Sequence, residues 1–263
     1  MDVTGGSGAV PSVLMTGIVP PDGLVRLVDS EPLLLVGGGR ALLMQLAHPG
    51  VAAGVADHSG FRSDALSRLR QTVAAISRIE FGTEDQAREV ADVLRAVHER
   101  VVGPGYRAND PDLQLWVHAA FVDTNLRTYS RFFRPLTPDE AERYYQEMTL
   151  VAQVVGIPRD LQPADLAAFR RYVRDMVGSL EVTDTARELA HHVLHPPWGP
   201  AAEPAVALHR SVTAGLLPAR LRRQYGLRWD WPGHFALQAA TAVSRLVLPR
   251  LPGPLRRAPG LLL

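Results

Sequence analysis

The side chains able to do metal or proton chemistry in this 263-residue chain form a short inventory. There is no cysteine, and all 28 Lys+Arg positions are arginine. Schiff-base and lysine general-base chemistry, thiolate catalysis, disulfides, Cys-ligated zinc and iron–sulfur clusters are therefore excluded. Any metal must be held by His, Asp, Glu or a cofactor. Histidine is the central candidate, at His48, His58, His98, His118, His191, His192, His195, His209 and His234.

Context separates these nine. His48 precedes Pro49, which must end or kink a helix, and Asp57-His58-Ser59 reads as a cap or turn. His98 follows Val90, Leu94 and Val97 on a helix and is expected near the buried face; a neutral imidazole there is a candidate axial ligand for iron. His118, in "LWVHAAFVDT", sits on a still more apolar helix, either as a ligand or as a core histidine hydrogen-bonded to a residue elsewhere. His191 and His195 stand at i, i+4, a spacing that can share a metal. That cluster also ends a helix before Pro196-Pro197, where histidines are favoured by the helix dipole alone.

The other chemical signatures are weak. "LLLVGGGRALLMQLAHPG" offers Gly37 and Gly39 for a dinucleotide fingerprint, but the third glycine position is Leu42 and no P-loop lysine follows. A packing role for these glycines is favoured, with Gly38→Val expected to impair folding or cofactor loading. No G-x-S-x-G elbow is present, so a serine hydrolase has no support. The tract "ARLRRQ" is read as surface.

The elements that must position the histidines are helices. "SDALSRLRQTVAAISRIEFG" carries Leu66, Leu69, Val73, Ile76 and Ile79 at steps of three and four. Thr83 caps the next helix, which Gly103 is expected to stop. Helices are also expected in "DPDLQLWVHAAFVDTNLRTYSRFF" and "TPDEAERYYQEMTLVAQVVG", and over 163–178, 182–194, 202–215, 218–225 and 232–248. Period-two strand patterns are lacking. The fold class is all-α, a single large helical domain of about ten helices packed in the globin style, over residues 23–248. Residues 1–22 and 249–263, rich in Gly and Pro, are expected to be irregular tails.

Composition bounds the partners. A formal net charge of +1 argues against a dominant electrostatic partner such as nucleic acid or an anionic membrane. Met1-Asp2-Val3 lacks a basic n-region, and the longest apolar stretch, from Leu33 to Ala56, is broken by Arg40, Gln45, His48 and Pro49. A cytoplasmic protein without stable membrane insertion is expected.

Several stretches together, "ALLMQLAHPGVAAGVADHS", "RLRQTVAAISRIEFG", "HERVVG", "LWVHAAFVDT", "RYYQEM" and "VVGIP", resemble the DUF2236 family. This is the catalytic domain shared by MpaB-type oxygenases and the latex clearing protein. The resemblance spans roughly residues 31–245 and implies a haem b-dependent oxygenase. Matched by motif, His98 falls at the proximal iron ligand and Arg95 in the accompanying R-x-x-H. Arg68 and Thr72 match an R-x-x-K-T arrangement on the distal side, where Gln71 replaces the lysine. Glutamine is a poor iron ligand, so the sixth position is expected to be open, water-bound or served by another group.

A haem also needs arginines for its propionates, for which Arg40 and Arg68 are candidates, and Thr72 can hydrogen-bond the oxidant. The expected activity is oxygenation of a small, largely apolar substrate with dioxygen or peroxide, and possibly an electron donor. Two alternatives stand beside it: a non-catalytic haem or apolar-ligand binding protein, and a non-haem metal enzyme using His191, His192 and His195. His118 is the alternative axial ligand.

Overall fold

A computed structural model describes residues 17–58 and 65–251, the side chains of 65–69 aside. Among them are twelve α-helices: α1 (Leu24–Asp29), α2 (Gly38–Leu46), α3 (Pro49–His58), α4 (Ala65–Phe81), α5 (Glu84–Glu99), α6 (Pro111–Phe132), α7 (Pro138–Val154), α8 (Leu166–Ser179), α9 (Asp184–Leu194), α10 (Glu203–Leu216), α11 (Ala219–Gln224) and α12 (Trp231–Val247). The all-α expectation holds. The boundaries follow local chemistry. Thr83 with Gln86, and Thr137 with Glu140, form reciprocal capping boxes. Asp110, Asp165 and Asp230 cap α6, α8 and α12 through their carboxylates. Gly156 and Gly226 follow α7 and α11 at positive φ, which an L side chain adopts with difficulty.

Two local expectations are corrected. α5 ends at Glu99 rather than running to Gly103. Instead β1 (Val102–Gly103) pairs antiparallel with β2 (Tyr106–Arg107) across Pro104-Gly105. The turn needs Gly105 at φ +80°, and the Tyr106 ring lies where a Gly103 Cβ would stand. Residues 17–22, expected in the tail, pack onto the domain: Val19 is fully buried. Residues 1–16 and 252–263 lie outside the described residues.

The long helix α6 runs through the core, burying Trp116, Ala119, Ala120 and Val122. It packs closely against α2, the short helix of the GGG stretch. α2 must stop before Pro49, and side chains bond the carbonyls of its last turn, that of Leu43 also accepting from Ala47 N at 3.1 Å. Trp116 Nε1 donates to the Met44 carbonyl at 3.1 Å and the Tyr225 hydroxyl to that of Leu43 at 2.7 Å. His48 Nδ1 accepts from Gly50 N at 3.1 Å and so helps start α3, the structural role its place before Pro49 suggested.

The three glycines divide cleanly. A Cβ on Gly37 would collide with Thr128, and one on Gly39 with Thr213 and His209. Gly38 has nothing within 4 Å of its Cβ position. Gly37 and Gly39 therefore let the chain pack directly against the Thr128 side chain of α6 and the Thr213 and His209 side chains of α10. The expectation that Gly38 is the sensitive position is wrong, because its missing side chain would point into open space.

Candidate functional site

α4 and α5 form an antiparallel hairpin closed at Gly82-Thr83. The start of α4 and the end of α5 therefore share its open end. Counted from the turn at the α-helical rise, Arg68, Gln71 and Thr72 come level with His98 to within roughly 1.5–8 Å along the axis. Arg68 lies on α4, with its side chain outside the described ones. Gln71 and Thr72 are exposed.

His98 sits on the packed side of α5. Ala87, Ala91 and Leu94 precede it at steps of four, three and four; Ala87 and Ala91 are buried, and Leu94 and His98 are half-buried. Val97, expected on the same apolar side, is instead 49% exposed, and Val93 is exposed too. The pair lies one helical turn apart and leaves an aliphatic ridge on α5 alongside His98. Arg95, at the surface, places Nη1 2.8 Å from Asp92 Oδ1. An imidazole, an aliphatic ridge, a hydroxyl, an amide and a cation thus lie toward the open end of the hairpin, at similar levels along its axis.

Arg40 and His118 serve elsewhere. Arg40 is fully buried. Its Nη2 donates to Asp123 Oδ2 at 2.5 Å, Nη1 to Thr124 Oγ1 at 2.5 Å and Nε to the Leu216 carbonyl at 2.8 Å. It ties α2 to α6 and to the end of α10, so the expected pairing with a propionate is corrected: its guanidinium is already committed to protein acceptors. His118 forms a hydrogen bond with the backbone of Met148 on α7, and burial pushes its pKa down to about 4. This bond occupies one ring nitrogen and agrees with the reading of a histidine satisfied by a residue elsewhere.

The remaining histidines also find local partners. The His191 and His195 rings stack with centroids 4.3 Å apart, and His195 Nδ1 lies 3.1 Å from the His191 carbonyl. Among the described residues no three His, Asp or Glu side chains converge as metal ligands. His58 Nε2 lies 3.3 Å from the Val102 carbonyl, and His209 Nε2 lies 3.2 Å from that of Val193.

Sequence reasoning missed a buried acid pair. Asp29, at the end of α1, accepts from the Tyr144 hydroxyl at 3.0 Å and from Asn125 Nδ2 at 3.1 Å. It also shares a hydrogen bond with Glu80, which is 1% exposed. Burial pushes the Asp29 carboxyl up to about 7, and burial with the Asp29 charge raises Glu80 well above the usual carboxylate range. A signal existed: Glu80 continues the spacing of Leu69, Val73 and Ile76 and so falls on the apolar side of α4. Asp29 carried no comparable mark.

A cavity of about 290 Å³ lies between α3 (Pro49, Gly50, Ala53), the ribbon turn (Pro104–Tyr106) and the start of α9 (Thr183, Thr185). The Tyr106 hydroxyl donates to Asp57 Oδ2 at 2.7 Å beside it. None of the residues selected from the sequence lines this space. No helix among the described residues is long and apolar enough to cross a membrane.

Comparison with known proteins gives three results. Residues 25–246 match the family described as ER-bound oxygenase mpaB/B'/Rubber oxygenase, catalytic domain. An uncharacterized protein of Mycobacterium bovis and one of Mycobacterium tuberculosis are each 26% identical to the chain over 217 residues, covering 78% of it and 85% of the relative. No solved structure matches significantly.

Proposed function

Because the chain belongs to the mpaB/rubber oxygenase catalytic-domain family, we propose that it is a haem b-dependent oxygenase acting with dioxygen or peroxide on a small, largely apolar molecule. What supports this reading, beside the family, is the antiparallel α4–α5 hairpin, which brings His98 roughly level along its axis with Gln71 and Thr72. The donor chemistry suits iron: a half-buried imidazole on a helix, with the exposed Val93 and Val97 as aliphatic surface on the same helix.

A haem held there supplies an iron able to bind and activate dioxygen. The chain supplies the rest. His98 would ligate the iron, and Arg95, one turn earlier and paired with Asp92 at the surface, would be the cation to meet a propionate. Thr72 offers a hydroxyl that can donate to or accept from the oxidant. Gln71 offers an amide that hydrogen-bonds but ligates iron poorly, so it orients a neighbour rather than occupying the metal. The aliphatic ridge offers an apolar surface to an apolar substrate.

The test is the absorption spectrum of protein from haem-supplemented cells, beside His98→Ala and His118→Ala. A Soret band lost only in His98→Ala is expected, with dioxygen uptake then used to screen substrates. Loss only in His118→Ala would overturn the ligand assignment. A folded wild-type protein with no Soret band would overturn the haem reading. A haem protein that consumes no oxidant with any apolar substrate would be a binding protein instead.

A further inference from the structure

The attachment of the α4–α5 hairpin to the domain is half polar. Among the described side chains of α4, only Ile79 and Glu80 are buried, and both stand at its closed end. Outside the hairpin, α4 packs on α1 and α5 packs on α7. Glu80 meets a second acid there, Asp29, the last residue of α1. The Asp29 carboxyl accepts from the Tyr144 hydroxyl of α7 at 3.0 Å and from Asn125 Nδ2 of α6 at 3.1 Å. Glu80 Oε1, in contrast, is buried without a hydrogen-bond partner.

The guanidiniums on the surrounding helices are engaged elsewhere. Arg26 of α1 lies over the Phe81 ring, 5.8 Å from its centroid, and Arg78 of α4 meets Glu89 of α5 at 2.9 Å. On α5 Arg88 pairs with Glu84, and on α7 Arg143 lies 3.9 Å from Glu147. Glu147, whose Oε2 accepts from Val25 N at 2.9 Å, adds a like charge to the surroundings of Asp29. Asp29 and Glu80 also both stand in the last turn of a helix, where the partial negative charge of the carbonyls disfavours a carboxylate. Two carboxylates in contact and out of reach of a cation do not both stay ionised, so the pair keeps a proton. Tyr144 and Asn125 already donate to Asp29, which leaves the proton on Glu80, donating to Asp29.

We propose that Asp29 and Glu80 form a proton-operated latch, which holds the α4–α5 hairpin on α1 and α7 and releases it when the shared proton passes to solvent. After that loss Asp29 keeps two donors and Glu80 keeps none. Glu80 is then the group driven toward water, and it gets there by lifting the end of α4, with Ile79 beside it. α5 follows, because it is joined to α4 through Gly82-Thr83 and packed along it. Both carboxyls are raised in the closed form, Asp29 to about 7, so closure is full at low pH and is lost through the neutral range. The latch sits at the opposite end of the hairpin from His98 and is independent of what His98 binds.

The experiment is hydrogen exchange of the full chain, read by mass spectrometry at about pH 6 and about pH 8 and corrected for the intrinsic pH dependence of exchange. In wild type, the amides around Ile79–Phe81 and Ala87–Ala91 are expected to lose about tenfold or more of their protection at the higher pH, ending well below those of α6. Glu80→Gln and Asp29→Asn each remove one of the two charges and should keep most of that protection at both pH values. Infrared spectra of wild type should show a protonated carboxyl band at the lower pH that fades at the higher one. Four results would overturn the proposal: hairpin protection in wild type that ignores pH, an equal loss in both variants, no protonated carboxyl band, or hairpin amides that exchange no faster than those of α6. The last would make the opening global rather than local. Comparing the hairpin with α6 in wild type needs no variant, so the test holds even where a substitution prevents folding.

Discussion

Arg40 Nη2 lies 2.5 Å from Asp123 Oδ2, with the two side chains 0% and 7% exposed. Around this pair three elements meet, α2, α6 and the end of α10. Asp123 also accepts from Arg127 Nε at 2.8 Å. Burial pushes its carboxyl up, but the two guanidinium charges outweigh that and hold it below the ordinary Asp range.

Removing one partner leaves the other buried and uncompensated. Asp123→Ala is expected to cost about 3–5 kcal/mol of unfolding free energy in urea titration. Because the folded pKa is depressed, the stabilisation is present above the ordinary Asp value of about 3.9 and is lost as pH falls through the folded value. A wild-type cost below about 1 kcal/mol would show that the pair is not a structural cross-link.

The glycine contacts predict an ordered series. Gly37→Ala and Gly39→Ala should each destabilise by about 1–3 kcal/mol, since Thr128, or Thr213 and His209, must give way. Gly38→Ala should be neutral or stabilising by up to about 1 kcal/mol, because Gly38 is already α-helical and its Cβ position is open. Thermal unfolding of the three variants checks the order; equal effects at all three would contradict close packing at Gly37 and Gly39.

The Asp29–Glu80 pair predicts a loss of stability toward alkaline pH. Both carboxyls are raised in the folded chain, so their contribution is full below the unfolded carboxylate values. It is lost as pH rises through the folded one, for Asp29 about 7. Tyr144 and Asn125 donate into the pair, while Glu147, held by Val25 N at 2.9 Å, adds a like charge from α7. Glu80→Gln removes one titration and should flatten the decline between pH 5 and 8. An unchanged pH slope in urea titrations would show that the pair does not govern it.

His118 should remain neutral across the physiological range. Its depressed pKa of about 4 means that folding stability is full above the ordinary histidine value and falls as pH drops from about 6.5 toward 4. In a histidine-detected NMR titration its resonance should stay flat between pH 5.5 and 8. A midpoint near 6.5 would place the ring in solvent.

Several features were legible in the sequence because they depend on neighbours within a turn or two. Thr83 with Gln86 and Thr137 with Glu140 announce helix starts, since the cap and its reciprocal partner are three residues apart. The 3.6-residue period located α4, α6 and α7, and the absence of cysteine and lysine removed whole classes of chemistry. α1 escaped because six residues carry too little periodicity, and the 102–107 ribbon because two-residue strands show no alternation.

The sequence by itself determined the all-α class, most helix limits and the family, through local spacing and motif order. Tertiary structure decided which polar groups are dry. Arg40 and Asp123 are 83 positions apart, and Tyr144 reaches Asp29 across 115. Whether a carboxylate faces solvent, a guanidinium or another carboxylate depends on which distant helix packs over it. A pKa responds to that enclosure and not to the residues beside it in the chain. The same holds for α12: its pattern marks an apolar stripe, but only packing shows that the inner face is buried and that the Trp231–Leu246 face is left outside.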